Sequence, residues 1–379
     1  MSMVLDLTRD LIRRPSITPA DEGCQALIAD YLSSFGFTCE WFKRGDVSNV
    51  LLSHGDPKNG PSILMLGHTD VVPVGDESSW KYPPFAARVN EGILYGRGSA
   101  DMKGGVAAMV IALQRLVEEF PDHLGCVQLL LTSDEEGPAV DGTCVVADAL
   151  KQQDRIPDYC VVGEPTSSKR IGDMARVGRR GSINARLIIK GEQGHTAFGH
   201  LIENPAHKLA GFLAVVTHFR WDEGDTLFPA TSLQVSALQA GGIATNVTPA
   251  IAETRFNLRN GPVSPQADLK QRMESILADL NISNYQLDWN VSAEPFYTPA
   301  GTLTAAVEAA VTGLLGYSPE MNTGGGTSDG RFIAPLGTQV VELGLLNHSI
   351  HKIDEHTPVA DLDLLMAIYF DILRRLLKP

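Results

Sequence analysis

Ser62-Ile-Leu-Met-Leu-Gly67 is a short apolar run that leads directly into His68-Thr-Asp70. Two later runs have the same form: Val127-Gln-Leu-Leu-Leu-Thr132 precedes Ser133-Asp-Glu135-Glu136, and Tyr159-Cys-Val-Val-Gly163 precedes Glu164. Short apolar runs bounded by turn residues are typical of buried parallel strands. Ligands of open α/β sheets bind at the carboxyl ends of such strands. The sequence therefore predicts that one imidazole and several carboxylates meet at one sheet edge, where a hydrolase would hold metal.

Strand-like and helical segments alternate around these three runs. The pattern predicts helices over 4–14, 23–34, 102–120 and 143–153, and strands over 38–43, 49–54, 62–67, 127–132 and 158–163. This βαβ rhythm indicates a largely parallel sheet covered by helices on both faces.

The rhythm changes after about Arg179. Strands are predicted over 182–190, 232–239, 252–258 and 285–291, and helices over 205–219 and 268–280, which gives the order β-α-β-β-α-β of a ferredoxin-like module. The first rhythm returns with a helix over 302–314, a strand over 339–343 and a helix over 360–377. We therefore expect an α/β fold: a mostly parallel-sheet catalytic domain in two parts, 1–179 and 294–379, and an inserted ferredoxin-like domain over 180–293.

Composition excludes several classes of partner. The formal net charge of −14 over 379 residues disfavours nucleic acid and anionic membranes, because both would repel the chain. No apolar stretch is long enough to span a bilayer. Five scattered cysteines without a C-x-x-C pair favour a reducing compartment, and Met1–Arg14 has the pattern of an amphipathic helix instead of a signal peptide. We therefore expect a cytoplasmic protein. Because the chain is strongly acidic, an anionic substrate would need arginines at its binding site.

Acidic residues stand at the predicted corners of the sheet. Asp101 occupies the place of the third glycine in Gly96-Arg-Gly98-Ser-Ala-Asp101, so a dinucleotide fingerprint fails there. Its carboxylate could cap the following helix or bridge two cations. The run Asp134-Glu135-Glu136 is costly unless a cation neutralises it. One of these glutamates can then bind metal while the other acts as a general base.

The C-terminal part offers a second imidazole and a glycine-rich loop. His348-Ser-Ile-His351 contains two candidates that spacing alone hardly separates, although His351 has the better context. Gly324-Gly-Gly-Thr327-Ser-Asp329-Gly-Arg331 could be a flexible linker or an anion-binding loop, but it is not a P-loop. Imidazoles and carboxylates without a thiolate cluster suit zinc, with manganese or cobalt as substitutes. Shared carboxylates suggest two metals roughly 3.5–4 Å apart.

The ordered set of these motifs resembles the M20 family of di-zinc amidohydrolases and peptidases over essentially the whole chain. The set comprises His68-x-Asp70, Gly98-x-x-Asp101-Met-Lys-Gly-Gly, Asp134-Glu135-Glu136-Gly, Gly163-Glu164-Pro-Thr and Ser349-Ile-His351-Lys. The resemblance implies that one zinc is held by His68, Asp101 and Glu164. It implies that the other is held by Asp101, Glu136 and His351, with Asp101 bridging. Asp70 would orient His68, and Glu135 would move a proton from water to the leaving amine.

Four stretches carry a finer match within that family: SDEEGPAVDGT, RVGRRGS, GGGTSDGRFIAPLG and SIHKI. They imply a small anionic N-acyl amino acid as substrate, N-succinyl-LL-2,6-diaminopimelate, which carries three carboxylates. The residues that would grip it are Arg179, Arg259, Arg331, Thr327 and the main-chain amides of Gly325 and Gly326. Arginine suits this role because its fork binds carboxylate in bidentate fashion. Arg180 stays open as an alternative to Arg179.

The resemblance also implies a homodimer formed through the inserted domain, which acts as a lid. His195 would reach the partner's active site and donate a hydrogen bond to the developing oxyanion, and Asn246 would lie near the same place. Two other hypotheses stay open. One is an N-acetylornithine deacetylase or related aminoacylase, which the metal motifs do not separate. The other is a catalytically silent metal-binding relative, against which the intact Glu135 argues.

Overall fold

The computed structural model describes residues 2–242 and 244–377. The chain divides into two compact units. The first comprises Met1–Gly178, Tyr297–Asn322 and Ser328–Pro379, and the second comprises Arg179–Phe296 and Thr323–Thr327. The second unit is thus inserted into the sequence of the first, and each is described by itself.

The first unit is built on a sheet with eight strands among the described residues. Their spatial order is Thr38–Arg44, Val47–Gly55, Cys126–Thr132, Ser62–His68, Tyr159–Val162, Gln339–Glu342, Met174–Arg176 and Glu320–Asn322. The four central strands, from Cys126–Thr132 to Gln339–Glu342, run parallel to one another. The first two strands are antiparallel additions at the edge. The expected α/β class with a mostly parallel central sheet is confirmed.

The helices of the first unit pack around this sheet, and all except Thr143–Gln152 and Gly330–Ile333 contribute buried apolar residues to one core. They span Met3–Ile12, Cys24–Ser33, Lys103–Glu119, Thr143–Gln152, Thr302–Leu315, Gly330–Ile333 and Val359–Leu376. Lys103–Glu119 is buried along most of its length. Its first turn contains Gly104 and Gly105, where a Cβ would come within 2.5 Å of the Ser99 carbonyl oxygen and 2.9 Å of the Gly163 carbonyl oxygen. Glycine is therefore required for this turn to lie against the strand ends.

A small three-stranded sheet in the first unit links distant loops. Its strands are Arg88–Asn90, Ile93–Tyr95 and His356–Pro358. The last strand places the preceding turn, 348–355, beside the loop that leads into Lys103–Glu119, since the Gly96 N–H donates to the Glu355 carbonyl at 2.9 Å.

In its described residues, the second unit contains a four-stranded antiparallel sheet packed with two helices. The sheet order is Ser232–Ala240, Ile251–Asn260, Gly181–Lys190 and Tyr285–Ala293, and the helices are Pro205–Val216 and Gln266–Asp279. Along the chain the order is β-α-β-β-α-β, as expected for a ferredoxin-like module. One face of the sheet packs against the two helices in a core that includes Leu187, Phe212, Phe256 and Met273.

Within 2–242 and 244–377, none of the helices combines the length and apolarity that crossing a membrane requires.

Candidate active site

Three neighbouring parallel strands of the first unit end at the same level. His68 is the last residue of its strand and pairs with Thr132, while Leu66 pairs with Val162. Residues that follow these strands therefore emerge together at the carboxyl edge. All three strands are largely buried apolar runs, and polar side chains follow at their carboxyl ends.

Two groups of potential metal ligands meet at this edge. In one, the His68 Nε2 atom lies 3.3 Å from Asp101 Oδ1 and 3.7 Å from Glu164 Oε1. In the other, the His351 Nε2 atom lies 3.3 Å from Asp101 Oδ2 and 3.0 Å from Glu136 Oε1. Asp101 thus presents one carboxylate oxygen to each group. Each set of three ligand atoms lies within 4.8 Å of one another.

Glu135 lies beside both groups and could itself be a ligand. His68, Glu135 and Glu136 form a third set of ligand atoms within the same 4.8 Å limit. Burial raises the pKa of Glu135 well above its usual range, and the neighbouring Glu164 raises it further. A carboxyl group with a raised pKa is suited to accept a proton near neutral pH. The geometry is therefore compatible with a base or a ligand at this position.

Asp70 supports the site in two ways. Its main-chain oxygen lies 2.9 Å from His68 Nδ1, which fixes the ring and leaves Nε2 facing the ligand group. Its carboxylate lies 3.6 Å from the same nitrogen. The carboxylate also accepts the main-chain N–H groups of Glu135 and Glu136, at 3.4 and 3.1 Å. Asp70 therefore positions the two glutamates as well as the imidazole.

The electrostatics of the ligand groups are those of a site that attracts cations. Hydrogen bonds to Asp101 and Glu136 raise the pKa of His351 to about 10. Burial lowers the pKa of His68, but the carboxylates of Asp101, Asp70, Glu135 and Glu164 outweigh it and raise the pKa well above the usual value. Burial raises the pKa of Asp101, yet His351 and His68 bring it well below its usual range. Positive charge is thus favoured where the ligand atoms converge.

Two buried polar atoms at this place support a fit to metal ions. Among the described residues, His68 Nε2 and Asp101 Oδ1 are buried without a hydrogen-bond partner. The two atoms lie 3.3 Å from each other without forming a hydrogen bond. A buried polar atom that lacks a hydrogen bond is costly, and both are atoms that bind zinc well. The donor set of two imidazoles and three carboxylates, with one carboxylate shared, fits a pair of divalent ions.

The structure distinguishes the two C-terminal histidines. His351 lies in the left-handed region at φ 59° and faces Asp101 and Glu136. His348 faces His356 instead, with their Nε2 atoms 3.2 Å apart. The turn around Ser349 therefore brings His351, not His348, to the ligand groups.

Arg331 and Asp329 also belong to the first unit. Arg331 Nη2 lies 4.0 Å from Asp329 Oδ1. Asp329 is buried, and in the part of the chain that is described neither of its carboxylate oxygens has a hydrogen-bond partner. Burial raises its pKa to about 6. Sequence reasoning assigned no role to Asp329, since the loop that contains it was interpreted as a flexible linker or an anion-binding loop.

The second unit brings Arg179 to the glycine-rich loop. Arg179 is buried, and its Nη1 donates to the Gly324 carbonyl at 2.9 Å. Gly325 follows at φ 92°, and a Cβ on it would lie 2.3 Å from the same Nη1. Gly326 has open space around it, since a Cβ there meets nothing within 4 Å. Gly325, Gly326 and Thr327 thus share one loop with the guanidinium of Arg179.

Arg259 lies on the strand Ile251–Asn260 opposite Ser182. Burial lowers its pKa, and the nearby Arg180 adds to this effect. The second unit therefore holds Arg180 and Arg259 as neighbours, while Arg179 is bound to the loop.

His195 and Asn246 lie on adjacent segments of the second unit. His195 pairs with Val247 in a short antiparallel ladder, and the Thr196 N–H donates to the Asn246 carbonyl at 3.0 Å. His195 is exposed, and its Nδ1 accepts the Ala197 N–H at 3.1 Å. In the neutral ring the proton is therefore on Nε2, which is left as an outward-facing donor.

Arg97 and Glu355 form a buried ion pair beside Asp101 that sequence reasoning missed. Arg97 Nη1 lies 2.8 Å from Glu355 Oε2, and both side chains are almost fully buried. The only sequence signal was a charged residue at a fixed offset from each ligand, four before Asp101 and four after His351.

Comparison with known proteins identifies the family. The model of "Peptidase family M20/M25/M40" matches residues 64–375. The chain belongs to this family. The M20 resemblance drawn from the motifs is thereby confirmed. This M20 chain is 52% identical over 379 residues to succinyl-diaminopimelate desuccinylase of Halorhodospira halophila, with all of both chains covered. It is 50% identical over 377 residues to the protein of the same name from Alkalilimnicola ehrlichii, again over the full length of both.

Solved structures show the same M20 fold. The M20 family metallo-carboxypeptidase Sso-CP2 from Sulfolobus solfataricus superposes with a TM-score of 0.81 at 17% identity, covering 99% of each chain. The chain is thus a hydrolase of the M20 family. Membership of this family, together with the two ligand groups, implies a dinuclear metal site.

Proposed function

We propose that the chain hydrolyses the amide bond of N-succinyl-LL-2,6-diaminopimelate to succinate and LL-2,6-diaminopimelate, in lysine and diaminopimelate biosynthesis. The observation that carries the proposal is the 52% identity, along all of both chains, to a protein named succinyl-diaminopimelate desuccinylase. The ligand groups of the first unit support it, because they supply what a metal-dependent amide hydrolase needs. The five free cysteines favour a reducing compartment, so we place the reaction in the cytoplasm.

The proposed cofactors are two divalent ions, zinc by preference, with cobalt or manganese as substitutes. His68, Asp101 and Glu164 would hold one ion, and Asp101, Glu136 and His351 the other. When bound, the ions would supply Lewis acidity toward a water molecule and toward the amide carbonyl. Asp70 would fix the His68 ring through its carbonyl and hold the main chain of both glutamates through its carboxylate.

Glu135 is the proposed general base. It would take a proton from the attacking water as the oxygen adds to the amide carbon, and deliver that proton to the nitrogen as the C–N bond breaks. The products are then a carboxylic acid and an amine, and proton transfer between them gives carboxylate and ammonium. Its buried position and raised pKa support this role, because the same group must both accept and return a proton near neutral pH.

The three carboxylates of the substrate account for the arginines of an otherwise acidic chain. We propose that Arg179, Arg259 and Arg331 bind them, with Thr327 and the amides of Gly325 and Gly326. The domain that we place at 180–293 would act as a lid and form a homodimer. Its His195 would donate from Nε2 to the developing oxyanion in the partner's site, with Asn246 beside it.

The test is release of succinate from N-succinyl-LL-2,6-diaminopimelate by the purified chain, after chelation and again with zinc restored. We expect turnover that disappears on chelation and returns with zinc. N-acetylornithine is the comparison substrate, at matched concentrations. Hydrolysis of the acetylated substrate alone would favour the deacetylase hypothesis, and metal uptake without hydrolysis of either would favour a silent relative.

A further inference from the structure

The buried carboxylate of Glu355 accepts hydrogen bonds from the loop that carries Asp101. Its Oε1 accepts the main-chain N–H groups of Ala100 and Asp101, at 2.9 and 3.0 Å. Its Oε2 accepts the Gly98 N–H at 3.1 Å and Arg97 Nη1 at 2.8 Å. Glu355 is fully buried. Such a carboxylate is tolerated only when it is paired and hydrogen-bonded, and here all four donors come from residues 97–101.

Arg97 connects the same carboxylate to the turn that carries His351. Its Nη1 also donates to the Lys352 carbonyl at 3.2 Å, and its Nη2 donates to the Pro73 carbonyl at 3.3 Å. The guanidinium lies over the Trp80 ring, 5.1 Å from its centroid. Its charge is thus neutralised by Glu355 and its plane is fixed by Trp80.

The two ligand groups depend unequally on this pair. Of the three ligands in the Asp101–Glu136–His351 group, two lie on segments that Glu355 and Arg97 hold. In the His68–Asp101–Glu164 group, only Asp101 lies on such a segment. Neither Glu355 nor Arg97 is itself a member of a ligand group. Disturbing the pair should therefore affect the first of these groups more than the second.

We propose that Glu355, held by Arg97, is a positioning residue that sets the placement of Asp101 and His351 for the ion bound by the Asp101–Glu136–His351 group. The inference rests on the two-ion site of the proposed function. Outer partners of metal ligands typically contribute about 10–100-fold to metal affinity. Removing the carboxylate should therefore weaken the ion at this group by about that factor and the other ion by less.

The test is calorimetric titration of the metal-free full chain with zinc, for wild type and Glu355→Gln. Glutamine keeps the size of the side chain but replaces an acceptor oxygen with a donor that faces N–H groups. The matched control is Asp222→Asn. The Asp222 carboxylate also accepts main-chain N–H groups, those of Gly224 and Thr231 at 2.8 and 2.9 Å, but in the second unit. The visible spectrum of the cobalt-loaded proteins provides an independent readout of the two ligand environments.

We expect two ions in wild type and in Asp222→Asn, and in Glu355→Gln one ion bound as before and one weakened about 10–100-fold. Unchanged binding of both ions in Glu355→Gln would overturn the positioning role, as would equal weakening of both. A wild-type chain that binds fewer than two ions would overturn the two-ion site and this role with it. Full two-ion binding without succinate release would leave the role standing and count against the proposed substrate.

A second variant covers the case in which Glu355→Gln does not fold, as judged by circular dichroism. Arg97→Lys keeps the charge, but an ammonium group cannot span Glu355, the Lys352 carbonyl and the Pro73 carbonyl in the same geometry. We expect preferential weakening of the same ion. Wild-type binding of both ions by a folded Arg97→Lys protein would overturn the proposal.

Discussion

A single added methyl group at Gly325 tests the arrangement of the glycine-rich loop. Gly325 has φ 92°, a region that costs an L residue roughly 1–2 kcal/mol. A Cβ would also come within 2.3 Å of Arg179 Nη1. The guanidinium would then have to leave the Gly324 carbonyl, and a hydrogen bond to a charged group contributes about 1.5–3 kcal/mol. Together these terms place about 2.5–5 kcal/mol of strain on the loop of Gly325→Ala.

We expect this strain to appear in substrate binding. If half of the strain energy weakens substrate binding, the KM for the succinylated substrate rises by about tenfold or more, since about 1.4 kcal/mol corresponds to a factor of ten. The assay is steady-state succinate release, with thermal unfolding measured in parallel. Gly211→Ala, in the helix Pro205–Val216 of the same unit, is the matched control, because the added methyl group there meets nothing within 4 Å. Equal KM values for the two variants, within about twofold, would refute the assignment of this loop and Arg179 to the substrate.

Three further predictions concern the metal groups and the second unit. Glu135→Gln should lower kcat by about 10²–10⁴-fold while two ions stay bound, whereas Glu136→Gln should lose an ion. If metal analysis shows that Glu135→Gln has lost an ion, Glu135 is a metal ligand and not the base. Zinc binding to the metal-free chain should release protons, because His351 has a pKa of about 10 without metal and must lose its proton to bind. Apparent zinc affinity should therefore rise with pH between 6 and 9, and calorimetric heats that do not depend on the buffer would contradict this. His195→Ala should lower kcat by about 10²–10³-fold with zinc content unchanged. The control is His207→Ala, which changes another exposed histidine of the same unit and should leave both kcat and zinc content unchanged. Similar losses of kcat in the two variants would indicate a general effect on that unit.

The central strands could be predicted because their signal is local. The run expected at 62–67 forms Ser62–His68, and that expected at 127–132 forms Cys126–Thr132. Continuous apolar residues bounded by turns specify such strands with little help from the rest of the chain. Met174–Arg176 and Glu320–Asn322, at the far edge of the sheet, span three residues each, which is too short for a periodic pattern of apolar residues. These strands are therefore defined only by their pairing with distant segments.

Helix ends were less predictable than helix centres. The helix expected over 205–219 ends at Val216, although the apolar Phe219 follows at helical spacing from it. The Thr217 hydroxyl donates back to the Leu213 carbonyl at 2.6 Å, and Phe219 leaves the helix to pack on Trp221 with ring centroids 5.0 Å apart. Apolar periodicity does not distinguish a residue that packs as part of a helix from one that packs just beyond it.

The candidate site shows the same division between local and distant signals. Acidic residues at strand ends are visible in the sequence, but the full ligand sets were expected only from the resemblance to the M20 family, and they stay a prediction. The pairing of Arg97 with Glu355 joins residues 258 positions apart. Its local signal is only the spacing of each residue from a candidate ligand, which does not indicate that the two pair with each other. The second contact of Asp70, with the main chain of Glu135 and Glu136, was missed for the same reason.

The strand Gln339–Glu342 has a consequence for how the chain is made. It lies in the middle of the large sheet, between Tyr159–Val162 and Met174–Arg176, yet it is synthesised after the whole inserted unit. On the ribosome, the edge of Tyr159–Val162 therefore stays open while about 180 further residues emerge. An unpaired strand edge can pair with the wrong partner. Newly made chains are thus most prone to aggregate during this interval, and the proposed metal centre, which would include His351, could be assembled only after it.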